Sequence, residues 1–247
     1  MADIPINFTQ LAQLTELGIS PQLLDFKLTT LESDRYICVR ESGAQGNTVA
    51  IVDLQQNCEV TRKNMSADNA IMHPVQNVIA LRANGTALQV FDLAQKLRLK
   101  LHTLELPVVL WKWLDAQHLG LVTASSLYLW NVFDGTNAGP EKLAERHHSL
   151  GACQIINFVA EPALNWFAVT GIAQEDGRIA GHTQLFCKSR GVSQAIAGHV
   201  CKFAQITLPG ASAPTKVFCI GNKAALGQGS LHIIEIDHVD SNPPFSK

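Results

Sequence analysis

The sequence predicts an all-β fold, a β-propeller of four-stranded blades, from three observations. A short apolar strand recurs along the chain, a second apolar strand precedes each copy, and helical periodicity is nearly absent. The recurring strand reads Val49–Asp53, Leu88–Asp92, Leu127–Asn131, Thr183–Cys187 and Leu231–Glu235, with starts 39, 39, 56 and 48 residues apart. The preceding strands are Tyr36–Arg40, Val78–Arg82, His118–Thr123, Trp166–Ile172 and Val217–Asn222. Turns such as Ala83-Asn84-Gly85-Thr86 and Ala124-Ser125-Ser126 join the two strands of a pair. A single small sheet cannot bury both of its faces, but stacked copies bury each against the next. Units of this length with several short strands are the sequence sign of a propeller.

Other elements follow in chain order. Phe8, Leu11, Leu14 and Leu17 are spaced as on a helix, so a short helical turn is expected there, ended by Gly18 and Pro21. Lys96–Leu104 alternates Leu97, Leu99, Leu101 with Arg98, Lys100, His102, as a half-exposed outer strand does. Asp53, Asp92 and Asn131 recur at equivalent positions and are expected to cap turns through their side chains. Trp111 and Trp113 flank Lys112, so both indoles fall on one side of a strand and suit packing between sheets. No linker divides the chain. It is expected to be one domain, residues 1–247, holding about five blades of a larger ring. Asn242–Lys247 reads as a blade-to-blade connection.

Composition excludes several functions. Hydrophobic residues make up 47% and charged ones 16% of 247 residues, enough for a large core. A net charge of -2 lacks the basic excess of a nucleic-acid binder. The N-terminus has no basic region followed by an apolar core, so no secretory signal is expected there, and no apolar run is long enough to span a bilayer. Six scattered cysteines without a CxxC pair suit buried, reduced thiols of a cytosolic protein. His147 and His148, taken as strand neighbours, would point apart, and no HExxH or Cys/His cluster appears, so no metal or other cofactor is expected. Gly221–Gly229 lacks the ending of a phosphate loop and suits a hairpin turn. No GxSxG occurs, so no catalytic residue is nominated. Arg62-Lys63 and Lys96-x-Arg98 are either solvated faces or the rim of a groove for an acidic, apolar peptide.

Several stretches, in order along the chain, carry a resemblance. They are Leu17–Pro21, Glu32–Asp34, Ser66–Met72, Trp111–Trp113, Cys153–Asn157, Val192–Ile196 and Leu231–Glu235. Together they resemble the N-terminal propeller domain of the clathrin heavy-chain family. Glu59–Met65 and Gly177–Gly181 look most like its fungal, yeast-type members. The resemblance implies a non-enzymatic, seven-bladed propeller on a long helical leg, with the last blades and the leg missing here. It implies a cytoplasmic protein on coated pits and vesicles, partnered by adaptor and accessory proteins, by other heavy chains in a trimer and by light chains, without membrane insertion.

The resemblance also implies peptide sites. The clathrin-box groove, between the first two blades, takes alternating bulky apolar residues with acidic neighbours. Its matching positions are Ile51, Lys63, Met65, Ile79, Leu81, Leu88, Gln89, Phe91, Lys96 and Arg98. Ile51, Met65, Leu81 and Phe91 would form pockets, Gln89 would bond the peptide backbone, and Lys63, Lys96 and Arg98 would meet its acids. Thr61 and Met65 stand where isoleucines are usual. A top-face site matches Phe26, Gln154, Ile156 and Ile172, and a site between blades four and five matches Trp166, Leu185, Arg190, Val192, Gln194 and Ile196. Phe8 matches the first-blade side of a fourth site. The rival reading is a general propeller scaffold unrelated to coats.

Overall fold

The computed structural model describes residues 7–43, 46–207, 214–223 and 228–237. Asn242–Lys247 therefore lies outside the described residues, as does the tip of the Gly221–Gly229 segment. The chain is all-β, built from consecutive antiparallel meanders. Sheet 1 runs β1 (Thr29–Leu31), β2 (Tyr36–Gly43), β3 (Gly46–Asp53), β4 (Glu59–Asn64). Sheet 2 runs β5 (Asn69–Met72), β6 (Val78–Ala83), β7 (Ala87–Asp92), β8 (Leu97–Thr103). Sheet 3 holds β9 (Val108–Trp113), β10 (His118–Thr123), β11 (Ser126–Asn131) and β12 (Glu141–Glu145). Sheet 4 holds β13 (Gln154–Ala160), β14 (Trp166–Glu175), β15 (Arg178–Cys187) and β16 (Val192–Ala197). Sheet 5 shows three strands among the described residues, β17 (Val200–Ile206), β18 (Thr215–Lys223) and β19 (Gly229–Glu235). These are β-propeller blades, and all five recurring pairs fall on neighbouring strands of one sheet. Among the described residues, no helix is long and apolar enough to cross a membrane.

The chain divides into two compact units, Met1–Glu105 and Leu106–Lys247. In the first, Tyr36, Cys38, Val49 and Ile51 of sheet 1 pack on Ala70, Met72, Ile79 and Leu81 of sheet 2. The opposite face of sheet 1, with Val39, Ala50 and Val52, is covered by Leu14, Leu17, Ile19 and Leu23. In the second unit, Val122, Leu127 and Leu129 meet Phe158, Phe167 and Phe186 between sheets 3 and 4. Trp166, Leu185 and Cys187 meet Phe203, Phe218 and Ile220 between sheets 4 and 5. Strand alternation directs these side chains, since every second residue faces the same neighbour.

The expected turn caps are present. Asp53 accepts from the Gln55 N–H, Asp92 from those of Ala94 and Gln95, and Asn131 from that of Phe133, at 2.8–3.0 Å. Both indoles of Trp111 and Trp113 are buried, and Lys112 instead reaches Asn157 at 3.3 Å. Cys38, Cys187 and Cys201 are buried and Cys58, Cys153 and Cys219 half-buried, all as free thiols. Burial pushes the Cys38 thiol up to about 12.

Several expectations need correcting. No helix forms at Phe8–Leu17. Residues 14–18 make a turn, and a 3₁₀ helix follows at Pro21–Leu23. Phe8 and Leu11 stay exposed, so only Leu14 and Leu17 gain burial, too little to offset helix nucleation. His147 and His148 are not on a strand. His147 caps the 3₁₀ helix His148–Leu150, and the two rings lie 4.1 Å apart. β15 starts five residues before the expected Thr183, because Asp176-Gly177, both at positive φ, makes a two-residue turn joining β14 to β15.

Sheets 4 and 5 approach closely at Gly181. A Cβ there would lie 2.5 Å from the carbonyl oxygen of Gly198 and 2.6 Å from the Cα of His199. Backbone cannot swing aside as a side chain can. Gly181→Ala is therefore expected to destabilise the chain by about 1–2 kcal/mol, read from the midpoint of urea unfolding.

Candidate peptide-binding groove

The groove lies within the first unit and is built by register. β6 and β7 pair Ile79 with Phe91, Leu81 with Gln89 and Ala83 with Ala87, so these side chains share one face. Leu88 and Val90 occupy the other face and are fully buried. On sheet 1, β3 and β4 pair Val49 with Lys63, Ile51 with Thr61 and Asp53 with Glu59, giving a matching face. Where the two faces diverge toward solvent, a cavity of ≈ 460 Å³ opens. Its lining includes Lys63, Met65, Leu81, Gln89, Phe91 and Lys96, six of the ten expected positions.

The remaining four positions are placed elsewhere. Ile51 is nearly buried and lines a neighbouring cavity. Ile79 is fully buried in the core beneath the groove. Leu88 faces away from it, a correction that follows from strand alternation next to Gln89. Arg98 is exposed and sits opposite Phe91 on β8. Asn64, Ser66, Ala83, Ala87, Asp92 and Leu93 complete the lining and were not anticipated. The signal for Ala83 and Ala87 was present, since both lie at two-residue steps from Leu81 and Gln89.

Arg98 reaches that position through a bulge in β8. Val90 pairs with Lys100, but Phe91 pairs with Arg98, so Leu99 is the extra residue. Unbroken alternation would set Leu99 opposite Phe91. The bulge also places Leu97 opposite Asp92 and Leu101 opposite Gln89, on opposite faces, which divides the expected leucine stripe. Lys100 consequently faces inward at 4% exposure, while Leu97 and Leu101 are each about half exposed.

The polar groups of the groove are free to act. Gln89 is half-buried with no side-chain hydrogen bond among the described residues. Lys63 and Lys96 likewise have no ion pair among them, whereas Arg62, on the opposite face of β4, is held by Glu41 at 3.0 Å and by the Gly18 carbonyl at 2.9 Å. The basic pair Arg62-Lys63 is therefore split, and only Lys63 serves the groove. Lys96 adopts φ 55° at the close of the Asp92-capped turn, which fixes where its side chain leaves the backbone. A mostly apolar trough with an amide in its wall and ammonium groups at its rim can hold an extended peptide of apolar and acidic residues.

This chain is 41% identical over 99% of its length to the clathrin heavy chain of Drosophila melanogaster. This chain is similar to clathrin heavy chains. The probable clathrin heavy chain of Schizosaccharomyces pombe is 38% identical over 98% of the chain, and clathrin heavy chain 2 of Homo sapiens 37% identical over 99%. The chain spans 14–15% of the length of these clathrin relatives. No family model matches it. Among solved structures, a complex of KlAtg21 with the coiled-coil of AgAtg16 aligns with TM-score 0.51 at 11% identity, over 85% of this chain and 70% of that one. The β-propeller domain of Myceliophteria thermophila Cps50 (Swd1) gives 0.49 at 11% identity, over 90% and 69%. At so low an identity, the KlAtg21 likeness speaks to fold, not to function.

The other positions matched to clathrin sites are spread differently. Phe26 lies in the first unit and is fully exposed. In the second unit, Gln154 pairs with Ile172 across β13 and β14, and Ile156 is thrown outward by a bulge between Ile155 and Asn157. On sheet 4, Leu185, Val192, Gln194 and Ile196 share the face turned to sheet 5. That face is graded. Trp166 and Leu185 are closed off by core packing, whereas Val192 and Gln194 are exposed and Arg190 lies in the open turn before them. Ile196 also lines a cavity of ≈ 600 Å³ with Ile220, Ile233 and Ile234.

Proposed function

We propose that this chain is a peptide-capturing propeller of a clathrin-type coat. Its first groove recruits adaptor and accessory proteins through short motifs of alternating bulky apolar residues with acidic neighbours. Vesicle formation and intracellular transport at the cytoplasmic face of coated membranes would be its setting, with no catalytic role. Trimer and light-chain contacts would belong to the remainder of a longer heavy chain. Placement among yeast-type members rests on Glu59–Met65 and Gly177–Gly181 alone, since fruit-fly and fission-yeast relatives are 41% and 38% identical.

The observation that carries this reading is the Gln89 amide, without a partner among the described residues, in the wall of an apolar cavity rimmed by Lys63 and Lys96. A half-buried amide left idle is costly unless a ligand or water satisfies it. An extended peptide would give it backbone partners while setting alternate apolar side chains against Met65, Leu81 and Phe91. Met65 supplies an adaptable wall where the family has a branched residue. The sheet 4 positions would form a second, shallower groove through Val192, Gln194 and Ile196.

Calorimetric titration of a Leu-Φ-x-Φ-acidic peptide, where Φ is a bulky apolar residue, tests the first groove. The triple variant Gln89→Ala/Phe91→Ala/Lys96→Glu should bind at least about tenfold more weakly than the wild type, each lost contact contributing on the order of 1 kcal/mol. Raised salt should weaken binding modestly, because the rim charges are exposed. Equal binding by both proteins would remove this groove from consideration.

A further inference from the structure

Resting on the reading of the first groove, we propose that the same groove has a second subsite which selects a basic residue in the bound peptide, four positions beyond its acidic residue. The subsite is a separate cavity of ≈ 350 Å³ in the first unit, lined among others by Arg35, Asp53, Gln56, Glu59, Thr61 and Lys63. Lys63 and Leu93 line both cavities, so the two adjoin at the Lys63 ammonium.

Strand geometry sets the charge order. Glu59, Thr61 and Lys63 lie at alternate positions of β4, and their cross-strand partners Asp53, Ile51 and Val49 place them all on the face turned to sheet 2. Alternate residues of one strand are about 6.7 Å apart on one face, so Glu59 stands about 13 Å from Lys63. An extended peptide running alongside β4 has the same repeat. If its acidic residue meets Lys63, the residue four positions further on arrives at Glu59 with its side chain on the same side.

Besides Lys63, Glu59 is the charge in this cavity left to act among the described residues. Arg35 holds Asp53 at 3.3 Å, donates to the Val75 carbonyl and stacks 4.6 Å from the Tyr36 ring, so the charges of Arg35 and Asp53 offset each other. Glu59 is exposed, and its carboxylate has no hydrogen bond or ion pair among the described residues. The face therefore reads basic at Lys63 and acidic at Glu59, with Thr61 between. It complements a peptide that reads acidic and then basic, and it would also fix which way the peptide runs. The apolar cavity lies on the other side of Lys63, so the basic residue belongs C-terminal to a Leu-Φ-x-Φ-acidic core.

The test is a set of peptides Leu-Φ-x-Φ-acidic-x-x-x-Lys, with Ala or Glu in place of the final Lys, titrated against the 247-residue chain. The Lys peptide should bind about threefold more tightly than the Ala peptide and the Glu peptide about twofold more weakly, the scale of exposed charge pairs. Glu59→Gln should erase the ranking and Glu59→Lys invert it. Equal affinities of the three peptides for the wild type, or an unchanged ranking in Glu59→Gln, would overturn the subsite. The wild-type ranking decides even where a variant folds poorly. Binding of the unextended core without discrimination between extensions defeats the subsite alone. Absence of core binding defeats the groove and the subsite together.

Discussion

Replacing Trp166 with alanine should cost the second unit about 3–5 kcal/mol, the range for a buried aromatic truncated in a core. The indole is fully buried among Phe218, Ile220 and Cys201 of sheet 5 and Leu185 of its own sheet. Its Nε1–H donates to Asp237 Oδ1 at 2.7 Å, which holds the chain just after β19 against sheet 4. Trp166→Phe separates the two contributions. It keeps most of the apolar contact and loses the hydrogen bond, so it should cost about 1 kcal/mol from the bond plus a smaller packing loss. Urea unfolding of the two variants measures both. Near-equal stability of Trp166→Ala and wild type would mean that sheets 4 and 5 do not pack as described.

Lys216→Met is the second large expected effect, at about 2–3 kcal/mol. Lys216 Nζ meets Glu161 at 2.8 Å and Asp237 at 3.4 Å. Glu161 is only 3% exposed, and its second oxygen has no partner among the described residues. Removing the ammonium strands a buried carboxylate, which in a fully enclosed pair costs about 3–5 kcal/mol. The smaller figure reflects the one-third exposure of Lys216, where solvent screens part of the attraction. Glu161→Gln in the Lys216→Met background should recover most of the loss. The pH dependence has a defined sign. The hydrogen bond to Glu161 first, and the Asp237 contact after it, raise the Lys216 pKa above its ordinary 10.5. Its contribution is full below pH 10.5 and is lost as pH rises through the raised value. The variant's stability should therefore fall less steeply in that alkaline window.

Much of the fold was legible because a propeller sheet writes itself in period two. The five pairs of strands were found from Val49, Leu88, Leu127, Thr183, Leu231 and their partners, since burial on one or both faces leaves a run of apolar residues. The turn-capping role of Asp53, Asp92 and Asn131 was legible because it is local chemistry. What failed depended on contacts distant in sequence or on single inserted residues. The alternating leucines of β8 do form the expected half-exposed outer strand, yet one bulge moves Leu97 and Leu101 to opposite faces and takes Lys100 inside. Periodicity cannot reveal a residue that the partner strand skips. The helix-like spacing of Phe8–Leu17 misled for another reason, because only half of that stripe finds a sheet to cover. For the groove, the resemblance named the residues. Alternation alone would have separated Leu88 from Gln89 and Phe91, and Arg62 from Lys63.

The β8 bulge has a bearing on solubility as well. β8 is the outermost strand of sheet 2, with one hydrogen-bonding edge unpaired within that sheet. Regular pairing would have aligned Leu97, Leu99 and Leu101 as a ribbon along that edge, the arrangement that invites a stray strand from another molecule to add on. The extra residue breaks the ribbon, bends the edge and interposes a guanidinium. Straightening this strand would therefore be expected to show first as self-association of the protein in concentrated solution.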